Sequence, residues 1–155
     1  SIGIEITNPG HQYGYKNFSK KQIFTLKKLL IHLIKKFKIK KKCILGHSDI
    51  SPDRKKDPGE NFPWERLARN GLAWSHNLNS KKIKKFRKVK LSSKSEKNIF
   101  LQNLYKIGYK KIDGFKLGKN IEYLTKAFQR RFRQDLVDGK IDQECLIISK
   151  NLISH

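Results

Sequence analysis

Between Ser19 and Lys38 the chain carries Ile23, Leu26, Leu30, Leu33, Ile34 and Phe37 at helical spacing, and Ser19 with Gln22 forms a capping box ahead of them. A long amphipathic helix is the direct expectation, and what flanks it restricts the fold further. Upstream, SIGIEIT (residues 1–7) alternates Ile2, Ile4 and Ile6 with Gly3 and Glu5, the period-two pattern of a strand with one buried face. Glu5 is then aimed away from the face that the isoleucines bury. Downstream, Cys43-Ile44-Leu45-Gly46 is a short apolar run ending at His47 and reads as a second, buried strand. Strand, helix and strand in this order predict an α/β unit, a mixed sheet with flanking helices and a right-handed crossover.

The remaining punctuation divides the chain. Asn8-Pro9-Gly10 ends the first strand, and a proline- and charge-rich loop leads from His47 to Gly59. Phe62-Pro63-Trp64 then opens a short helix through about Arg69, with Pro63 at its first turn. Lys, Ser and Asn dominate from Ser75 to Ser95, a solvated spacer by composition. Beyond it come three helical patterns: one capped by Ser93 and Glu96, one from Asn120, and one after Asp138-Gly139 with Asp142 as N-cap. The expected organisation is an α/β domain over 1–76, a basic linker over 77–93 and a small all-α three-helix domain over 94–155.

Charge excludes less than its size suggests. With 36 Lys+Arg against 13 Asp+Glu the formal charge is +23, which draws the chain to any polyanion. The excess is mostly lysine, without the arginine-rich arm or interleaved aromatics of a nucleic-acid binder, so no specific nucleic-acid partner is expected. Cys43 and Cys145 lie far apart with no CxxC, and read as small buried residues rather than a disulfide or a zinc module. No run reaches the roughly 18 apolar residues of a membrane span, and no targeting segment is visible. Membrane association is left open, and a monomer is expected.

Chemistry concentrates in His47 to Gly59, which reads HSDISPDRKKDPG. His47 and Asp57 offer an imidazole nitrogen and a carboxylate oxygen, both suited to zinc. By themselves a His and an Asp at this spacing read as ordinary loop residues. The whole loop, however, resembles the ligand-bearing loop of the zinc-dependent N-acetylmuramoyl-L-alanine amidases related to bacteriophage lysozymes and peptidoglycan recognition proteins. SIGIEI is similar to that family's strand bearing a catalytic glutamate, and FPWERLARNGL to its helix beneath the site. AFQRRFRQDLVDGKID is similar to the FQ…DG signature of three-helix peptidoglycan-binding domains.

The resemblance implies His47 and Asp57 as ligands of one zinc ion, Glu5 as general base or proton shuttle, and Lys55 as a cation near the developing oxyanion. Lys56 is a close neighbour that competes for the last role. The implied activity is hydrolysis of the amide between N-acetylmuramic acid and L-alanine in peptidoglycan or muropeptides, in the cell envelope or periplasm. The family's third zinc ligand is a histidine on an earlier strand, and this chain opens at the glutamate strand, so the resemblance also implies N-terminal truncation. A catalytically inactive peptidoglycan-binding fragment is therefore the alternative.

Overall fold

A computed structural model describes residues 1–111 and 117–154, and among them helices are the only regular elements. In chain order they are α1 (Lys20–Phe37), α2 (His47–Ile50), α3 (Trp64–Arg69), α4 (Ser80–Ile83), α5 (Lys94–Ile107), α6 (Leu117–Phe132) and α7 (Gln143–Ile153). The turn expected between the first two C-terminal helices falls partly outside the described residues.

The α/β expectation is overturned: no strand or sheet occurs among the described residues. The physical reason is pairing. A strand needs a neighbour for its main-chain groups, and the two apolar runs do not supply one to each other. Residues 1–7 carry no ladder, although Ile4 and Ile6 pack beside α1. The second run does not form a strand either: a short 3-10 turn, Lys41–Cys43, ends at its first residue, with Cys43 N donating to Lys40 O (2.8 Å) and Ile44 N to Lys41 O (3.2 Å), and 44–46 follow without regular structure. That turn leaves Cys43 exposed, whereas Cys145 is buried as expected.

Local capping held where it was expected. Gln22 N donates to Ser19 Oγ (3.2 Å) and Ser19 N to Gln22 Oε1 (2.8 Å), satisfying two of the donors that a helix start leaves open. Asp142 accepts from Cys145 N (2.9 Å) and Ser93 from Glu96 N (3.2 Å), but the capping box expected at Ser93 is only half formed, because Glu96 Oε2 accepts Ser92 N (2.6 Å) instead of Ser93 N.

Two apolar clusters hold the chain. The first joins α1 through Leu26 and Leu30 to Phe62, Trp64, Leu67 and Leu72 around α3. The second is built by α5, α6 and α7 around Phe100, Leu104, Phe128, Leu146 and Ile148, all at most 1% exposed. Each such side chain contributes about 1.5–3 kcal/mol by leaving water. Residues 77–93 pack on this second cluster through Ile83. Arg87 also reaches Glu144 through Nε (2.6 Å) and Nη2 (2.9 Å). Glu144 shares a buried charge group with Arg133 and Asp142, where Arg133 Nη1 donates to Asp142 Oδ2 at 2.5 Å.

Candidate functional site

His47 and Asp57 come together at the mouth of one loop. Gly46 N-caps α2, and Asp49 closes that cap by accepting Gly46 N at Oδ2 (2.9 Å). Glycine is required here by close approach: a Cβ at position 46 would lie 2.5 Å from Pro58 Cδ and 3.3 Å from the Trp64 ring. Ser48, buried at 3% exposure, sends its N–H to Asp57 O (2.9 Å) and so ties the two limbs of the loop together. The result is that His47 Nδ1 and Asp57 Oδ2 meet directly, with both side chains about half open to solvent (50% and 55%).

A nitrogen and an oxygen donor converging at an exposed point fit two of the three protein ligands a catalytic zinc takes. Among the described residues no group of three His, Cys, Asp or Glu side chains is placed to hold a metal. Without an ion the same contact lets Asp57 accept the Nδ1 proton, leaving Nε2 of His47 as the free acceptor.

Glu5 and Lys55 are both exposed, and among the described residues neither side chain makes a hydrogen bond or ion pair. Lys55 sits on the loop itself, its N–H bonded to Ser51 O (2.8 Å). Glu5 stands on the extended N-terminal segment between Ile4 and Ile6. The structure therefore brings His47 and Asp57 into contact and does not bring Glu5 or Lys55 into bonding distance of them.

Much of the loop's support comes from Tyr15, His11, Glu60 and Tyr109, which the sequence reading left without a role, while Asp49 was expected only as a turn or cap residue. Tyr15 donates to Pro58 O (2.7 Å) and accepts Asn61 N (2.9 Å), and burial pushes its phenol up despite the Asn61 bond. His11 stacks on Tyr15 (4.4 Å between centroids) and binds Glu60 through Nε2 (3.1 Å). Burial pushes the Glu60 carboxyl up, but the His11 bond and the neighbouring charges outweigh it and leave it below the usual range. On the other limb, Tyr109 donates to Asp49 Oδ1 (2.8 Å), and burial raises the Asp49 carboxyl despite the Arg131 guanidinium nearby. No sequence pattern near these residues signals the contacts.

Comparison with known proteins agrees with the loop. Residues 1–60 match the family model described as N-acetylmuramoyl-L-alanine amidase. The chain is 31% identical over 161 residues to N-acetylmuramoyl-L-alanine amidase AmiD of Escherichia coli K12, covering 99% of this chain and 56% of that protein. It is 45% identical over 67 residues to 1,6-anhydro-N-acetylmuramyl-L-alanine amidase AmpD of Haemophilus influenzae, covering 43% of this chain and 34% of the relative. Among solved structures, AmiD from E. coli in complex with the substrate anhydro-N-acetylmuramic acid-L-Ala-D-gamma-Glu-L-Lys superposes with a TM-score of 0.77 at 27% identity, over 91% of this chain and 54% of that one. AmpDh3 of Pseudomonas aeruginosa in complex with anhydromuramic pentapeptide gives 0.75 at 25% identity, over 91% and 55%. The chain thus spans about half the length of AmiD and a third of AmpD.

Proposed function

From the premise that this chain is of the N-acetylmuramoyl-L-alanine amidase type, matching that family over residues 1–60, we propose that it serves hydrolysis of the amide between N-acetylmuramic acid and L-alanine in peptidoglycan or its fragments. The contact between His47 and Asp57 at the mouth of the family-matched loop is the observation that carries this reading. The two residues would hold zinc, with a further donor completing the set. Bound there, the ion would polarise the amide carbonyl and lower the pKa of water to about 7.

The chain's own groups account for the rest. Glu5, exposed and without a side-chain bond among the described residues, would take a proton and pass it to the departing amine of L-alanine. Lys55 carries an exposed ammonium two residues before Asp57, suited to the charge that grows on the amide oxygen, an effect often worth about 3–4 kcal/mol. Residues 1–76 would form the amidase part and 94–155 the peptidoglycan-holding part, with 77–93 joining them while anchored by Ile83 and Arg87. The reading carries with it the cell envelope or periplasm as the place of action, and a monomer as the working unit.

The test is release of stem peptide from purified peptidoglycan or an anhydromuropeptide, followed chromatographically, lost on chelation and restored by zinc. Asp57→Ala should bind no zinc and release nothing. Zinc-independent release, or full activity of Asp57→Ala, would refute the assignment. The lack of a three-donor group among the described residues favours one second reading, a wall-binding unit without turnover. Sedimentation with insoluble peptidoglycan, with no peptide released, would select it.

A further inference from the structure

The loop that carries His47 and Asp57 is gripped from outside at both ends by one short stretch of chain. Arg131, in the last turn of α6 and 4% exposed, donates through Nη2 to Ile44 O (2.8 Å), three residues before His47. Its guanidinium lies 3.5 Å over the Trp64 ring. Gln134, two residues past the end of α6, donates through Nε2 to Glu60 O (2.6 Å) and Phe62 O (2.7 Å), just after Asp57.

We propose that Arg131 and Gln134 are positioning residues for the His47 and Asp57 pair, pinning the two ends of their loop so that imidazole and carboxylate face one ion. This deepens the metal-site reading above and rests on it. Between Ile44 and Phe62 the only regular element is the four-residue α2, and apart from Ser48 N to Asp57 O the main-chain bonds inside the loop are local turns that do not hold its two ends together. All three acceptors are main-chain carbonyls, so the two side chains constrain the backbone's course and leave the ligands' chemistry untouched. Inside the clamp, the Ser48 N–H to Asp57 O bond converts fixed ends into a fixed distance between the two ligand-bearing limbs. The guanidinium suits its place because it lies over the Trp64 ring and donates to Ile44 O together, and a compact ammonium has no plane to lay on the ring and no fixed fork of donors.

Gln134→Met keeps the side chain's length and removes its donor, while Arg131→Lys keeps the charge and removes the stacking plane. Both are compared with the wild-type chain by amide hydrogen exchange and by zinc titration. The Ser48 amide should exchange about tenfold faster in each variant, with the Leu104, Phe128 and Ile148 amides unchanged. Zinc should bind about tenfold more weakly, at the low end of what outer partners of metal ligands carry. A uniform rise in exchange would mean general stabilisation only, and an unchanged Ser48 rate would mean that the loop holds itself; either overturns the proposal. Should the wild-type chain bind no zinc, the metal reading fails, and the Ser48 rate still decides whether these residues hold the pair.

Discussion

Gln129 offers the sharpest test of how the C-terminal helices are held. It is fully buried in α6, and its Nε2 donates to Lys140 O (2.9 Å) and Asp138 Oδ1 (3.0 Å) while its Oε1 accepts Gly139 N (2.8 Å). The turn it pins needs glycine, because position 139 has φ +76° and a Cβ there would lie 2.6 Å from Glu122 Cγ. Gln129→Met preserves volume and deletes every one of these bonds. Asp138 keeps Lys140 N (3.0 Å) and Arg133 Nη2 (3.3 Å), so the loss falls on two main-chain groups, the Gly139 N–H and the Lys140 carbonyl, to which only the weak Cys145 Sγ donor (4.0 Å) remains. Each buried group left without a partner costs about 1–3 kcal/mol. Water reaching the half-buried turn trims the sum, and about 3 kcal/mol is expected, a large share of the roughly 5–15 kcal/mol that holds a domain. Urea unfolding followed by circular dichroism and by tryptophan emission measures it directly. A loss under about 0.5 kcal/mol with an unchanged denaturant slope would refute the reasoning.

Two further outcomes follow from the charges. Burial pushes the Asp142 carboxyl up, but hydrogen bonds from Cys145 and Lys88 and the Arg133 guanidinium outweigh it, so it titrates below its ordinary value. Its contribution is therefore complete above the unfolded value of about 3.9 and is lost as pH falls through the lower folded one. Melting temperatures taken from pH 6 down to pH 2.5 should fall more steeply for wild type than for Asp142→Asn; parallel curves would contradict this. In a chain that releases peptide, Lys55→Ala should slow release more than Lys56→Ala does, with melting unchanged in both because the two side chains are exposed. Equal rates for the two variants would remove Lys55 from its role.

What the sequence disclosed was local chemistry. Caps were legible because Ser19 with Gln22 and Asp142 with Cys145 bond within one turn. The alternation in SIGIEIT marked a sided segment only in part, since Ile4 and Ile6 pack on the first cluster and Glu5 is exposed, but Ile2 is exposed as well. It could not report whether a partner strand lies alongside, which is what separates a strand from an extended arm. The grip on the loop was equally out of reach, because Arg131 and Ile44 are 87 positions apart and Gln134 and Glu60 are 74 apart. One signal was nevertheless present. The basic run 81–90 contains a single arginine, Arg87, and it alone of that run reaches the buried Glu144. Arg130, Arg131 and Arg133 are buried as well, whereas no described lysine is. In a chain whose positive charge is mostly lysine, Arg87, Arg131 and Arg133 donate in fixed directions from largely buried positions, which suits the planar, weakly hydrated guanidinium. The exposed Arg66 and Arg69 on α3 show that arginine alone is not sufficient. Arginine next to buried aromatics, as in RRFR, is the combination that distinguished structural cations from solvated ones.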